Sequence, residues 1–198
     1  MKVEEFTTFD RVEETIQIQV QQDRSVLIPS IISGYKVDQV FTSNDLPEVV
    51  TARYIGLAKD KKKGGHPTYI VEPTTKILRL RGENGYDNGP GILNGICRTL
   101  FSDEGVLTAR SVKKSDLKRF DYKHESYRYW LTSDEVELYD NTCEYNLYKV
   151  RNGRISYNRL YNLQGINQTR EGAVRAVIVL QTKVTNTENR SDIKWIEL

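Results

Sequence analysis

The sequence predicts an α+β fold, with helices packed against a mostly antiparallel sheet and long loops growing from it. Three observations predict it. Apolar and polar residues alternate in many short segments, as in Glu14-Thr15-Ile16-Gln17-Ile18-Gln19-Val20. One stretch, Ile92, Leu93, Ile96, Cys97, Leu100 and Phe101, switches to helical spacing. Between the two patterns lies Gly82–Gly91, with Asn-Gly, Asp-Asn-Gly and Gly-Pro-Gly, which reads as an interruption of regular structure.

The elements follow in order. Glu14–Val20 is a strand with one apolar face, and Asp23-Arg24 turns the chain before Ser25–Ile32. Val37–Thr42 and Val49–Leu57 are further strands, separated by the turn-like Ser43-Asn44-Asp45-Leu46-Pro47. Lys59–Pro67 reads as a solvated loop or hairpin, and Thr68–Val71 with Lys76–Leu80 as a short hairpin around Glu72–Thr75. The helix begins near Asp87 or Asn88, with Pro90 in its first turn and Gly95 permitting close packing. Val106–Val112 is a short strand, and Ser115, Asp116, Leu117 and Phe120 mark a smaller helix. Tyr127–Ser133, Val136–Tyr139, Tyr145–Val150, Ile155–Asn158 and Val174–Leu180 complete the strands, with turns at Gly153 and Gly165. The apolar face of Ile193–Leu198 suits docking of the tail onto the domain. The change of periodicity divides the chain into a sheet-rich segment over 1–81 and a second unit over 82–198.

Composition bounds the function. At 198 residues, 38% hydrophobic and 28% charged, the chain suits one well-buried core rather than a disordered polymer. A net charge of +2 implies no general attraction to nucleic acid, so any basic effect is local, as at Lys59–Lys63. No apolar run is long enough to cross a membrane and no signal-peptide pattern opens the chain, so neither membrane insertion nor signal-directed secretion is expected. The 12 Tyr against 5 Phe favour rings that also hydrogen-bond, at a sheet or a contact surface.

Catalytic and metal signatures do not assemble. His66 and His124 lie in contexts without a nucleophile elbow. The glycine run before the helix lacks the lysine-hydroxyl ending of a phosphate loop. Asp134, Glu135, Glu137, Asp140 and Glu144 miss the spacing of an EF-hand, and nothing separates the roles of Asp134 and Glu137 as a glycosidase pair. Cys97 and Cys143 form no metal signature; Cys97 reads as a buried thiol, and whether the two meet is open. No cofactor and no catalytic residue are expected.

Tyr129-Trp130-Leu131-Thr132-Ser133 and Val174-Arg175-Ala176-Val177-Ile178-Val179-Leu180 resemble the YWLAS and GVRPVVSL segments of a largely uncharacterised group of bacterial and bacteriophage domains. Upstream, Leu93-Asn94-Gly95-Ile96-Cys97 and Ala109-Arg110-Ser111 resemble the helix and ARS element of that group, so the likeness spans about residues 86–182. Thr132 stands where the group has Ala, and Ala176 where it has Pro. The resemblance implies a C-type-lectin-like scaffold, taken to occupy 82–198; it leaves the sheet-rich 1–81 unexplained, and that segment reads as one that attaches the scaffold. It implies a non-enzymatic virion protein, capsid-decorating or tail-associated, with virion proteins or copies of itself as partners. The alternative is a module that binds a glycan or protein receptor on the host surface. Sugar-reading tripeptides such as Glu-Pro-Asn are absent from the late region, so sugar binding is not implied. Trp130 reads as framework, and the Tyr/Asn/Arg-rich run that follows reads as contact surface, centred on Arg154, Tyr157, Arg159 and Tyr161.

Overall fold

The computed structural model describes residues 14–20, 24–28, 31–32, 35–36, 39–60, 64–101, 105–139, 142–162, 169–181 and 195–196. Strands β1 (Thr15–Gln19), β2 (Ser25–Ile28), β3 (Ile31–Ile32), β4 (Tyr35–Lys36), β5 (Gln39–Thr42), β6 (Val49–Asp60), β7 (Gly64–Val71) and β8 (Ile77–Arg81) precede helix α1 (Gly82–Leu100). After it come β9 (Val106–Ser111), a 3-10 turn over Lys114–Lys118, β10 (Arg128–Tyr139), β11 (Thr142–Arg151), β12 (Arg154–Asn162), β13 (Thr169–Ala173), β14 (Ala176–Leu180) and β15 (Trp195–Ile196). Among the described residues the architecture is therefore mostly sheet with one α-helix.

Two main sheets hold the core. The first runs β1-β6-β7-β14-β9, with β15 also paired to β6; the second runs β12-β11-β10-β13-β8. All five residues of β14 are buried, which accounts for its unbroken apolar run: a strand covered on both faces has no solvent side to mark with polar residues. Val177 packs in one core cluster and Ile178 in the other. In α1 the buried Leu93, Ile96, Cys97 and Leu100 share one core cluster with Leu78, Leu80, Trp130 and Leu147 of the second sheet and with Tyr69, Ala109 and Ile178 of the first.

Several expectations change. The helix starts at Gly82 rather than near Asp87, so the glycine run is helical. Glycine costs about 1 kcal/mol per position relative to Ala in a helix, and at Gly89 the compensation is proximity: a Cβ there would lie 3.3 Å from Leu147 Cδ2. The expected hairpin of Thr68–Val71 with Lys76–Leu80 does not form, because β7 pairs with β6 and β14 while β8 pairs with β13 in the other sheet. Of the two readings of Lys59–Pro67 the hairpin forms: β6 runs to Asp60 and pairs there with Gly64 at the start of β7, 61–63 lie outside the described residues, and Pro67 and the buried His66 stand inside β7. Strands from either side of the 81/82 division pair with each other in both sheets, so that division marks a change of local periodicity rather than separate cores. The expected turn at Gly165 lies outside the described residues. In the tail, Trp195 and Ile196 pair with Leu57 and Ala58 on the edge of β6.

Arg175, between β13 and β14, ties the sheets together. Its Nε donates to Val71 O (2.9 Å), and Nη1 and Nη2 donate to Oε2 and Oε1 of Glu125 at 2.5 and 3.0 Å. The guanidinium carbon lies 4.8–5.3 Å from the ring centroids of Tyr129, Phe120 and Tyr127. The buried cation is thus held by a carboxylate, a carbonyl and three neighbouring aromatic rings. Trp130 is framework as expected: fully buried, with its indole Nε1–H donating to Leu78 O at 3.1 Å. Cys97 is a free, buried thiol, so no disulfide joins it to Cys143, and burial pushes its pKa up to about 12.

Candidate functional site

The exposed part of the second sheet is built by a two-residue turn. Asn152 (φ 48°) and Gly153 (φ 71°) both adopt left-handed backbone, as a primed hairpin turn between twisted strands requires. That turn fixes the register of β11 and β12, pairing Arg151 with Arg154, Lys149 with Ser156 and Tyr148 with Tyr157. On the other side, β10 pairs Arg128 with Arg151 and Trp130 with Lys149.

Directly paired residues share a sheet face and neighbours along a strand alternate. Arg128, Arg151 and Arg154 therefore form one row across three strands on the face that carries Trp130. All three are exposed, and among the described residues none has a carboxylate partner. Like charges set directly opposite disfavour the sheet, so this row costs stability that no carboxylate among the described residues offsets.

Behind the row lies Lys149. Its buried side chain places Nζ 5.5 Å from the Trp130 ring centroid, donating to Glu171 O at 3.4 Å. Burial lowers its pKa to about 8, and the positive charges of Arg128, Arg170 and Arg151 add to the shift against the opposing Glu171. The shift is thus chiefly the cost of burying the ammonium, with the neighbouring arginines a smaller addition.

Tyr157 stands on the opposite face. It is 55% exposed, its ring 6.4 Å from that of Tyr148 in an edge-to-face arrangement, and Lys114 Nζ lies 4.0 Å over the Tyr148 ring. Of the four contact residues expected from the sequence, Arg154 and Tyr157 are thus exposed on different faces. Arg159 and Tyr161 are β12 positions opposite Asn146 and Tyr145, across a register shift, and their side chains lie outside the described set. Arg128 and Lys149 were not among the expected residues. The Arg-Asn-Gly-Arg turn signature over 151–154 gives the pairing of β11 with β12, but the place of Arg128 beside Arg151 depends on the register across the β10–β11 hairpin.

Elsewhere, polar clusters are structural. Asp116 accepts from Arg110 at 2.7 and 2.9 Å and from the Lys113 N–H at 2.7 Å. Its burial opposes ionisation, but these donors outweigh burial and hold its pKa below the ordinary carboxylate value. His124 is exposed and paired with Asp121. Among the described residues no group of His, Cys, Asp and Glu is placed to hold a metal, and no helix is long and apolar enough to cross a membrane.

No protein-family model matches the chain, and neither does any curated protein or solved structure.

Proposed function

We propose that the protein is a non-enzymatic structural component of a phage particle, a capsid-decoration or tail-associated module on a C-type-lectin-like scaffold. The Arg128–Arg151–Arg154 row is the observation that carries this reading. A rigid sheet presents three cations without a carboxylate partner among the described residues, at a stability cost that contact with an acidic surface would offset. The ordered YWLTS and VRAVIVL motifs supply the phage context, and their residues form the framework beneath that surface. Repetition of one modest contact over many copies on a particle gives useful total affinity. Mass spectrometry of purified particles, with localisation in a particle map, tests the assignment. The chain is expected in stoichiometric amount; its absence from purified particles would overturn the reading.

A second reading, a host-surface glycan- or protein-binding module, is favoured by the Tyr148–Tyr157–Lys114 cluster, where the exposed Tyr157 ring meets Tyr148 edge to face and the Lys114 ammonium lies over the Tyr148 ring. Binding on a glycan array that is lost in folded Tyr157→Ala would favour this second reading over the first.

A further inference from the structure

Lys149 is 4% exposed, and a lysine is almost never buried this far without an ionic partner. Its ammonium has three N–H donors; one meets Glu171 O at 3.4 Å, and the Trp130 ring centroid lies 5.5 Å away. The Glu171 carboxylate is itself engaged by Arg79 at 2.9 Å. On the same sheet face stand the exposed Arg151, two residues along β11, and Arg128, its exposed cross-strand partner. The three cations are thus anchored within about 8 Å of one another. Arg154 continues the row, and Arg170 adds positive charge from β13. We propose that Lys149, Arg128 and Arg151 form a binding site for a dianionic phosphoryl group.

Charge and donor chemistry select that ligand. Lys149, Arg128 and Arg151 carry more positive charge than one carboxylate neutralises, whereas an esterified phosphoryl group carries about −1.5 to −2 at neutral pH and offers three acceptor oxygens. Arginine forks bind phosphate oxygens in pairs and lysine binds them as a point charge, so two exposed forks in front of one buried ammonium match an oxyanion approached from several sides. A nucleic acid fits this face less well. Trp130 is fully buried and the exposed Tyr157 stands on the opposite face, so among the described residues the row has no stacking platform for bases.

This inference rests on the reading of the row as a contact surface and names the chemistry it receives. Titration of the full chain with phenyl phosphate, followed by amide NMR shifts at about 0.15 M chloride, tests it. Wild type is expected to bind saturably at about pH 7 with a Kd of about 1 mM or tighter, and acetate about tenfold more weakly. Arg128→Gln with Arg151→Gln is expected to weaken phenyl phosphate binding by about tenfold or more. A phosphate ester loses its second proton near about pH 6, so its charge is nearly constant above about pH 7. Lys149 loses its proton at about pH 8. Wild-type affinity is therefore expected to fall about threefold or more between about pH 7 and about pH 9.5, and folded Lys149→Met to bind weakly without that fall. Inorganic phosphate bound as tightly as the ester would assign the site to free phosphate; weaker binding would assign it to a phosphoryl group carried on a partner. No saturable binding, acetate bound as tightly, a folded arginine variant that binds like wild type, or a pH profile shared with Lys149→Met would each overturn the inference. Should Lys149→Met unfold, as its circular dichroism would reveal, the arginine variant and the wild-type pH series decide. Presence in particles without phosphate binding would overturn this inference and leave the proposed function standing; phosphate binding with absence from particles would do the reverse.

Discussion

Replacing Glu125 with Gln isolates the one charge on which the junction of the two sheets depends. The Glu125 and Arg175 side chains are 8% and 3% exposed, and the carboxylate takes two hydrogen bonds from the guanidinium. Glutamine keeps the size and one acceptor but removes the negative charge and turns an N–H₂ toward a cation. Arg175 retains Val71 O and three aromatic faces, none of which carries a full charge. Stranding a buried partner of this kind costs about 3–5 kcal/mol. At about 2–4 °C per kcal/mol for a chain of this size, the Tm is expected to fall by about 6–20 °C. Far-UV circular dichroism during heating measures it, with urea unfolding for the free energy. The double variant Glu125→Leu with Arg175→Met is expected to be less destabilised than Glu125→Gln alone, because it leaves no stranded charge. A fall in Tm of under about 2 °C for Glu125→Gln would refute the claim that this pair is the electrostatic tie between the sheets.

Lys149 makes stability depend on pH in a defined direction. Its folded pKa of about 8 lies below the ordinary 10.5, so below pH 8 both states are protonated and the folded state bears the full cost of the buried ammonium. Between those values the unfolded chain holds more protons, and stability rises with pH. Urea midpoints from about pH 7 to about pH 10 are expected to climb for wild type and to flatten in Lys149→Met; parallel profiles would remove the buried-amine explanation. Gly153→Ala drives a Cβ into the Lys123 carbonyl at a φ of 71°, and is expected to cost more than about 2 kcal/mol in urea unfolding. A loss of under about 0.5 kcal/mol would mean that the turn is free to move away from residue 123.

The sequence made the α+β class legible because periodicity survives folding wherever one face is buried. Glu14–Val20, the Leu93/Ile96/Cys97/Leu100 stripe and the Asn152–Gly153 turn all stand where local pattern puts them. Local chemistry misleads where tertiary contact overrides it. Gly82–Gly91 has a loop composition yet is helical, with Gly89 seated against Leu147, and Pro67 lies within a strand. The partition of β7 and β8 between two sheets has no local signature, since β8's partner β13 and β7's second partner β14 lie about a hundred residues downstream. The proposed contact surface was half legible for the same reason. Arg154 and Tyr157 are exposed, but strand alternation places them on opposite faces, and Arg128 enters the row only through pairing with a residue more than twenty positions away.

The central claim is that the arginine row makes a contact on which particle assembly depends. Its most direct measurement is a competition in which wild type and folded Arg128→Glu/Arg151→Glu/Arg154→Glu chains, distinguished by isotope label, are supplied together to assembling particles and counted by mass spectrometry. The account expects the triple variant to be depleted at least tenfold in particles relative to the supplied mixture. Incorporation of the two chains in equal proportion would contradict it.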